Sequence, residues 1–229
     1  MLSKDFYINF DFKSDFLLDA LDKDEIHKVT STFEDINFSK GDKLFYEDGV
    51  PTGVFYIQKG KAKKYKSAFD QEQIFYIYKD GDLLGYHALL SQERYQDSCS
   101  ALTDMEVKFI SGENFNRLLH EIPKLKDAVI VNMAHEFGVM ANFISILAQK
   151  SQVLRLGIFL MVLDHRFNSG KSKSEGVNIP REDLANLIGT SKESLSRSLK
   201  VLKDLSLISV DKRTIHIKKQ KELWALVQG

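Results

Sequence analysis

The apolar pattern of the 229-residue chain changes at Pro123. Before this proline, short runs rich in aromatic and β-branched residues are separated by turns that contain glycine. From Lys124 to Gln149 glycine occurs once, and apolar residues recur every three to four positions. The first pattern is typical of antiparallel strands and the second of amphipathic helices. We therefore predict an α+β protein whose β-rich N-terminal part is followed by a helical C-terminal part.

Five runs in the first part have the length and composition of strands. They are Lys43 to Tyr46, Gly53 to Gln58, Ala62 to Lys66, Gln73 to Tyr78, and Met105 to Ile110. Turn residues separate them at 47–49, 69–70 and 80–82, so we expect an antiparallel β sandwich or barrel. A short helical lead-in is expected between Lys13 and Phe33, with Phe16 and Leu17 among its apolar residues.

A long helix is predicted from about Lys124 to Gln149. One stripe of apolar residues follows it in steps of three and four: Ile130, Met133, Phe137, Met140, Ile144 and Leu147. The stripe could pack on the β domain of its own chain, or it could form the seam of a homodimer. A second apolar face could cover the β domain instead: Val129, Val131, Ala134 and Val139. We therefore expect a two-stranded dimer seam along the stripe.

The C-terminal part carries the positive charge. The whole chain has no net charge, but residues 151–229 contain 14 basic and 8 acidic residues, which favours a polyanionic partner. A helix is predicted at 152–166, a linker at 168–174, and a short helix at 180–189. The spacing of a capping box, Thr190 to Glu193, opens a further helix that runs to Leu205. A hairpin with its turn at 211–213 follows, so the segment predicts a winged helix-turn-helix.

The second helix of this motif is the candidate reader of DNA, because the first turns of such a helix reach base edges in the major groove. Lys192, Glu193 and Arg197 are the predicted base contacts. The predicted phosphate contacts are Ser191, Ser194, Ser196, Lys200, Lys212 and Arg213. In the alternative, Glu193 caps its own helix and pairs with Arg197 on a solvated face.

The chain resembles the Crp/Fnr superfamily of bacterial transcription regulators over nearly its whole length. The resemblance is carried by Gly41, Phe45, and the segments 55–60, 80–85 and 179–208. It implies a β-roll of the cyclic-nucleotide-binding, jelly-roll-like type at 1–122, a dimerisation helix at 123–150, and a winged helix-turn-helix at 151–229. The implied function is that of a dimeric, sequence-specific transcription regulator whose partners are double-stranded DNA, a second copy of itself and RNA polymerase.

The same resemblance bears on the binding sites. Lys192, Glu193 and Arg197 fall on the three base-contacting positions of the family, and Lys192 replaces an arginine of the best-known members, which leaves the preferred half-site open. In the β-roll, Tyr86 replaces the glutamate that binds ribose in cyclic AMP receptors. Met140 replaces an adenine-facing hydroxyl residue, and Arg94 is the cation nearest to the position of the phosphate-binding arginine.

We therefore do not expect cyclic AMP to be the effector. An unidentified, less polar or differently charged effector is expected near Tyr86, His87, Arg94 and Met140. The alternative is a ligand-independent regulator whose β-roll is vestigial and empty.

Several other classes of protein are not expected. A single cysteine, Cys99, cannot supply an iron–sulfur cluster within one chain, and we expect it to be a small buried hydrophobic residue, with redox sensing as the alternative. His87 is the one histidine of the strand-rich region, so neither haem nor a cupin-type metal enzyme is expected. The N-terminus does not have the pattern of a signal peptide, and the apolar run Leu156 to Leu163 is too short to span a membrane. We expect a cytoplasmic, non-enzymatic protein without a membrane partner.

Overall fold

The computed structural model describes residues 4–12, 18–68, 71–172 and 174–228. Its helices are α1 (Lys4–Ile8), α2 (Lys23–Thr30), α3 (Tyr86–Ser91), α4 (Gly112–Glu121), α5 (Pro123–Gln149), α6 (Gln152–Asn168), α7 (Arg181–Leu187), α8 (Lys192–Asp204) and α9 (Gln220–Gln228). Its strands are β1 (Glu34–Phe38), β2 (Lys43–Phe45), β3 (Gly53–Lys59), β4 (Ala62–Ala68), β5 (Gln71–Tyr78), β6 (Leu83–Leu84), β7 (Ser98–Ala101), β8 (Met105–Ser111), β9 (Ile208–Asp211) and β10 (Thr214–Ile217). Phe16 and Leu17 of the predicted lead-in, the predicted turn at 69–70 and Lys173 of the predicted linker lie outside the described residues.

Two four-stranded sheets form the N-terminal part, with the strand orders β1-β8-β3-β6 and β2-β7-β4-β5. All five predicted strands are present. Three strands were not predicted, and each lacks the usual pattern: β1 is mostly exposed, β6 has two residues, and β7 is buried at every position although it contains two serines. Side chains such as Val54 and Ile57 of β3 are completely buried, so the predicted apolar runs supply the core.

The described chain divides into two compact units. One contains residues 12–66 and 75–137, and the other contains the residues up to Asp11, 67–74 and 138–229. In the first unit, a core cluster joins β3, β6 and β8 to α3, α4 and the beginning of α5, with Val54, Leu83, Tyr86, Phe115 and Val129 among its members.

The long helix α5 begins at Pro123 and ends at Gln149, within one residue of the prediction. Its buried residues recur in steps of three and four: Val129, Asn132, Glu136, Val139, Phe143 and Ile146. The predicted second face is wrong at Val131 and Ala134, which are exposed. They lie one and four positions after Ile130, so they extend the exposed side of the helix, and the buried side passes through Asn132 and Glu136 instead.

A short N-terminal arm, residues 4–11, belongs to the second unit. The ring of Phe6 contacts Trp224 of α9 at 4.5 Å between centroids, and Tyr7 stacks on His165 of α6 at 3.9 Å. Gln220 Nε2 donates a hydrogen bond of 2.8 Å to the Tyr7 hydroxyl. Asp11 forms an ion pair with the buried Arg166 of α6. Local sequence patterns do not predict this arm, because its partners lie more than 150 residues away.

Candidate nucleic-acid interface and sensor site

The turn between α7 and α8 is shaped by glycine and held by α6. Gly189 has a φ of +64°, in the left-handed region that favours glycine. Arg155 Nη1 of α6 donates a hydrogen bond of 2.9 Å to the carbonyl oxygen of Ile188, the C-cap residue of α7. Ala185 of α7 and Leu195 of α8 are buried, as expected for two helices that cross closely. The predicted helix-turn-helix is therefore formed.

The start of α8 differs by one residue from the prediction. Ser191 is the N-cap, and its Oγ accepts a hydrogen bond of 3.2 Å from the backbone N–H of Ser194. The backbone N–H of Thr190 instead donates to the carbonyl oxygen of Ala185, which closes the preceding turn. The predicted capping box with Thr190 as N-cap is thus wrong, although the hydroxyl cap itself is present one position later.

All three predicted base contacts are exposed at the beginning of α8. Lys192 Nζ lies 3.1 Å from Glu182 Oε1 of α7, and Arg197 Nη2 donates a hydrogen bond of 2.6 Å to Ser194 Oγ. Hydrogen bonds from its own backbone N–H and from Ser191 lower the pKa of Glu193, and the charges of Arg197 and Lys192 act in the same direction. Glu193 therefore stays ionised as an acceptor at neutral pH.

The predicted phosphate contacts lie on the same helix and on the hairpin. Ser196 Oγ donates to the carbonyl oxygen of Lys192 at 2.9 Å, whereas Lys200 is exposed one turn later. In the hairpin, Asp211 pairs with Thr214, so Lys212 and Arg213 form a two-residue turn with both side chains exposed. Lys212 has a φ of +51°, as turns of this kind require. The predicted wing is present, with two cations at its tip.

A buried polar cluster lies in the other unit, between α3 and α5. It consists of Tyr86, His87, Asn132 and Glu136. Glu136 Oε1 accepts hydrogen bonds from the Tyr86 hydroxyl at 2.5 Å and from Asn132 Nδ2 at 2.8 Å. His87 Nε2 lies 2.9 Å from Glu136 Oε2, and Asn132 Nδ2 also donates to the Tyr86 hydroxyl. Burial, followed by the nearby Glu136, raises the pKa of Tyr86 far above its usual value, so its hydroxyl stays a donor.

Sequence reasoning found two members of this cluster, Tyr86 and His87, and missed the other two. Asn132 and Glu136 are 0% and 3% exposed. The signal was present in the sequence, because both residues continue the three-and-four step that runs from Val129 to Val139. Polar residues in a row of buried positions indicate a hydrogen-bonded group inside the protein.

The other two predicted effector residues do not join Tyr86 and His87 within this cluster. Arg94 Nη1 donates a hydrogen bond of 2.7 Å to the carbonyl oxygen of Asp48, and Arg94 lines a groove of about 680 Å³ on the same unit. Met140 is half-buried on the part of α5 that belongs to the second unit.

The predicted dimer stripe is largely exposed. Phe137 is 79% and Ile144 is 66% exposed, Ile130 and Met133 are exposed to a smaller extent, and Met140 and Leu147 are half-buried. Large apolar side chains in such a row on one helix are a surface that a partner normally covers.

Comparisons with known proteins agree with this architecture. The sequence model of the cyclic nucleotide-binding domain matches residues 35–121, and that of the Crp-like helix-turn-helix domain matches residues 154–226. The chain belongs to the Crp/Fnr family of transcription regulators. It is 28% identical over 209 residues to the anaerobic regulatory protein of Aggregatibacter actinomycetemcomitans, covering 90% of this chain and 78% of that protein. It is also 28% identical over 214 residues to the fumarate and nitrate reduction regulatory protein of Vibrio cholerae, covering 92% and 84%.

Solved structures share the fold of this Crp/Fnr protein. FixK2 from Bradyrhizobium japonicum aligns with a TM-score of 0.76 at 20% identity, over 85% of this chain and 96% of that chain. A putative Crp/Fnr regulator from Eubacterium rectale aligns with a TM-score of 0.73 at 18% identity, over 93% and 98%. The predicted fold class is confirmed, and the protein is a DNA-binding transcription regulator and not an enzyme.

The structure also bears on the reactivity of the cysteine, on metal binding and on membrane spans. Cys99 is completely buried, and burial raises the pKa of its thiol well above the usual value, so the thiol is a poor nucleophile. In the described part of the chain, no group of three or more histidine, cysteine or acidic side chains could hold a metal ion. Among the described helices, α5 alone has the length and hydropathy of a membrane span, which core helices of soluble proteins also reach.

Proposed function

We propose that this Crp/Fnr protein reads a two-fold symmetric DNA site with Lys192, Glu193 and Arg197. The observation that carries the proposal is the exposure of all three side chains on the first two turns of α8, whose opposite side is buried. Arg197 and Lys192 can donate to guanine, and the ionised Glu193 can accept from the amino group of cytosine. The arginine is already oriented by Ser194 Oγ, which reduces the conformational entropy lost on binding.

Phosphate contacts flank this reading surface. Lys200 on α8 and the wing-tip residues Lys212 and Arg213 supply charge, and the hydroxyls of Ser191, Ser194 and Ser196 supply short polar contacts. These contacts fix the position of the unit on the duplex without selecting a sequence.

The protein acts as a homodimer in this proposal, with α5 as the seam. The exposed apolar stripe of α5, from Ile130 to Leu147, supports this interface, since two such stripes can cover each other. A two-fold dimer places two recognition helices on half-sites about 34 Å apart. The corresponding division of the chain is a β-roll at 1–122, a dimerisation helix at 123–150 and a DNA-binding domain at 151–229.

An effector bound in the β-roll beside Tyr86 and His87 controls the regulator. Asn132 Oδ1 is buried and has no hydrogen-bond partner among the described residues, so an effector that donates a hydrogen bond suits this place. The carboxyl group of Glu136 next to it disfavours an anionic cyclic nucleotide. Arg94 and Met140 remain predicted effector residues. We place the regulator in the cytoplasm, where it works with RNA polymerase.

The reading of bases is tested by selecting binding sites from random duplexes with the full-length protein and with Arg197→Ala. We expect the variant to lose about 1 to 3 kcal/mol of binding free energy and to accept any base at one position of each half-site. Lys221→Ala, which removes an exposed cation from α9, is the matched control and should select the same sequence as the wild type. An unchanged sequence preference in Arg197→Ala would contradict the proposed role.

A further inference from the structure

A groove on the β-roll unit combines an apolar floor with a cationic rim. It has a volume of about 680 Å³ and is formed by the turn at 50–51, α3 and the residues after it, α4 and the start of α5. Ala88, Leu89, Leu90 and Leu119 contribute apolar surface, and the last three of them pack against the core cluster. The volume lies within the range of small-molecule sites, about 300 to 1,000 Å³.

Three basic side chains line this groove: Arg94, His120 and Lys126. A single carboxylate, Glu93, lies among the lining residues. The Arg94 guanidinium is held by the carbonyl oxygen of Asp48 through Nη1, which leaves its other N–H groups available for a ligand. The groove therefore favours negative charge at its rim.

We propose that this groove binds an amphipathic organic anion, in which a compact carboxylate or phosphate head is joined to an apolar tail. The tail lies on the leucine side chains, and the head lies among Arg94, His120 and Lys126. This groove shares only Arg94 with the predicted effector residues, because Tyr86, His87 and Met140 do not line it. The inference does not depend on DNA reading. The groove and the effector site are nevertheless formed in part by the same helix, since Ala88 and Leu89 belong to α3, which also carries Tyr86 and His87.

The experiment is calorimetry of the full-length protein with decanoate and with monodecyl phosphate, both below the concentrations at which they form micelles. Decan-1-ol and inorganic phosphate are the comparison probes, because each supplies only the tail or only the head. We expect at least one of the two amphipathic anions to bind more tightly than either comparison probe. The proposal is overturned if neither anion binds, or if decan-1-ol or inorganic phosphate binds as tightly as the tighter-binding of the two anions.

Two variants locate the binding site. Val50 is 65% exposed at the edge of the groove, so Val50→Asp adds a negative charge without disturbing the core, and Val50→Asn is its matched neutral control. We expect Val50→Asp and Lys126→Gln each to weaken anion binding by about two- to fivefold, as for single exposed charge pairs. Val50→Asn should bind like the wild type. Equal affinity in Val50→Asp, Lys126→Gln and the wild type would move the binding to another part of the protein.

Discussion

Both sides of α5 depart from the polarity that a helix of a globular protein usually shows. Its mostly apolar buried side includes Asn132 and Glu136, whereas its exposed side presents Phe137 and Ile144. An amphipathic helix normally buries apolar residues and exposes polar ones. Each side is therefore stable only with a particular partner. The buried carboxyl group has its partners within the chain, in Tyr86 and His87, and the exposed apolar stripe requires a second chain in the function we propose.

This contrast shows that the polarity of a residue on α5 does not by itself indicate whether the residue is buried. Polar residues inside the protein favour one defined arrangement, because their hydrogen bonds depend on distance and direction. Exposed apolar residues favour association with a partner, but they do not require a particular orientation of it, because the hydrophobic effect is not directional. A change on one side should then alter conformational stability, and a change on the other should alter assembly.

The largest expected effect is on assembly. Phe137→Asp combined with Ile144→Asp places charges in the proposed seam, where burying them is costly, so the variant should be monomeric. Losing the second half-site should weaken DNA binding by about 10² to 10⁴, the usual range of avidity for linked sites. Analytical ultracentrifugation and DNA titration measure the two effects. Gln149→Asp, an exposed position outside the stripe, is the control and should remain dimeric, and an intact dimer in the double variant would remove the stripe from the interface.

The next effect is on stability. Glu136→Ala removes the acceptor for Tyr86, Asn132 and His87, so the buried Tyr86 hydroxyl loses its acceptor, whereas the half-exposed His87 still reaches water. We expect the free energy of unfolding to fall by about 1 to 3 kcal/mol, the cost of leaving a buried donor unsatisfied. Urea unfolding at fixed protein concentration measures it.

Glu106→Ala is the matched control for this experiment, because Glu106 pairs with Lys59 on the surface. It should lower the free energy of unfolding by about 1 kcal/mol or less. If the two variants were equally stable, the buried cluster would not stabilise the fold.

The smallest expected effect is on DNA affinity, and it comes from the wing tip and not from α5. Lys212→Gln removes one cation from the wing tip and keeps a side chain of similar length. It should weaken binding to all duplexes alike and lower the slope of log affinity against log salt by about one. Titrations at several salt concentrations, with Lys221→Gln as the control, measure this slope. A change in sequence preference would instead show that Lys212 reads bases.

Local patterns in the sequence predicted the long helix and the C-terminal motif well, whereas α1, α3, α4 and α9 were not predicted. The bounds of α5, the helix-turn-helix and the wing follow from apolar spacing and turn residues over a few positions. The N-cap was misplaced by one residue because Thr190 and Ser191 are both good caps, and the two are distinguished by hydrogen bonds that only the folded turn shows, from Thr190 to Ala185 and from Ser194 to Ser191.

The parts that depend on distant contacts were not predictable in this way. Glu136 meets Tyr86 across 50 positions, and the spacing within α5 indicates that Asn132 and Glu136 are buried but not which residues they contact. The strand β7 contains Ser98 and Ser100, and it is buried because both of its neighbours, β2 and β4, pair with it. In each case tertiary contacts, and not local residue preferences, determined that these polar residues are buried.

The N-terminal arm has a consequence for how the protein is made. Phe6 and Tyr7 leave the ribosome more than 200 residues before their partners Trp224 and Gln220. These contacts of the second compact unit can therefore form only after α9 has been synthesised, when the β-roll segment has already emerged. A fragment that starts at residue 151 would lack the aromatic cover of α6 and α9 that Phe6 and Tyr7 supply, so we expect it to be less stable than the same residues within the full chain.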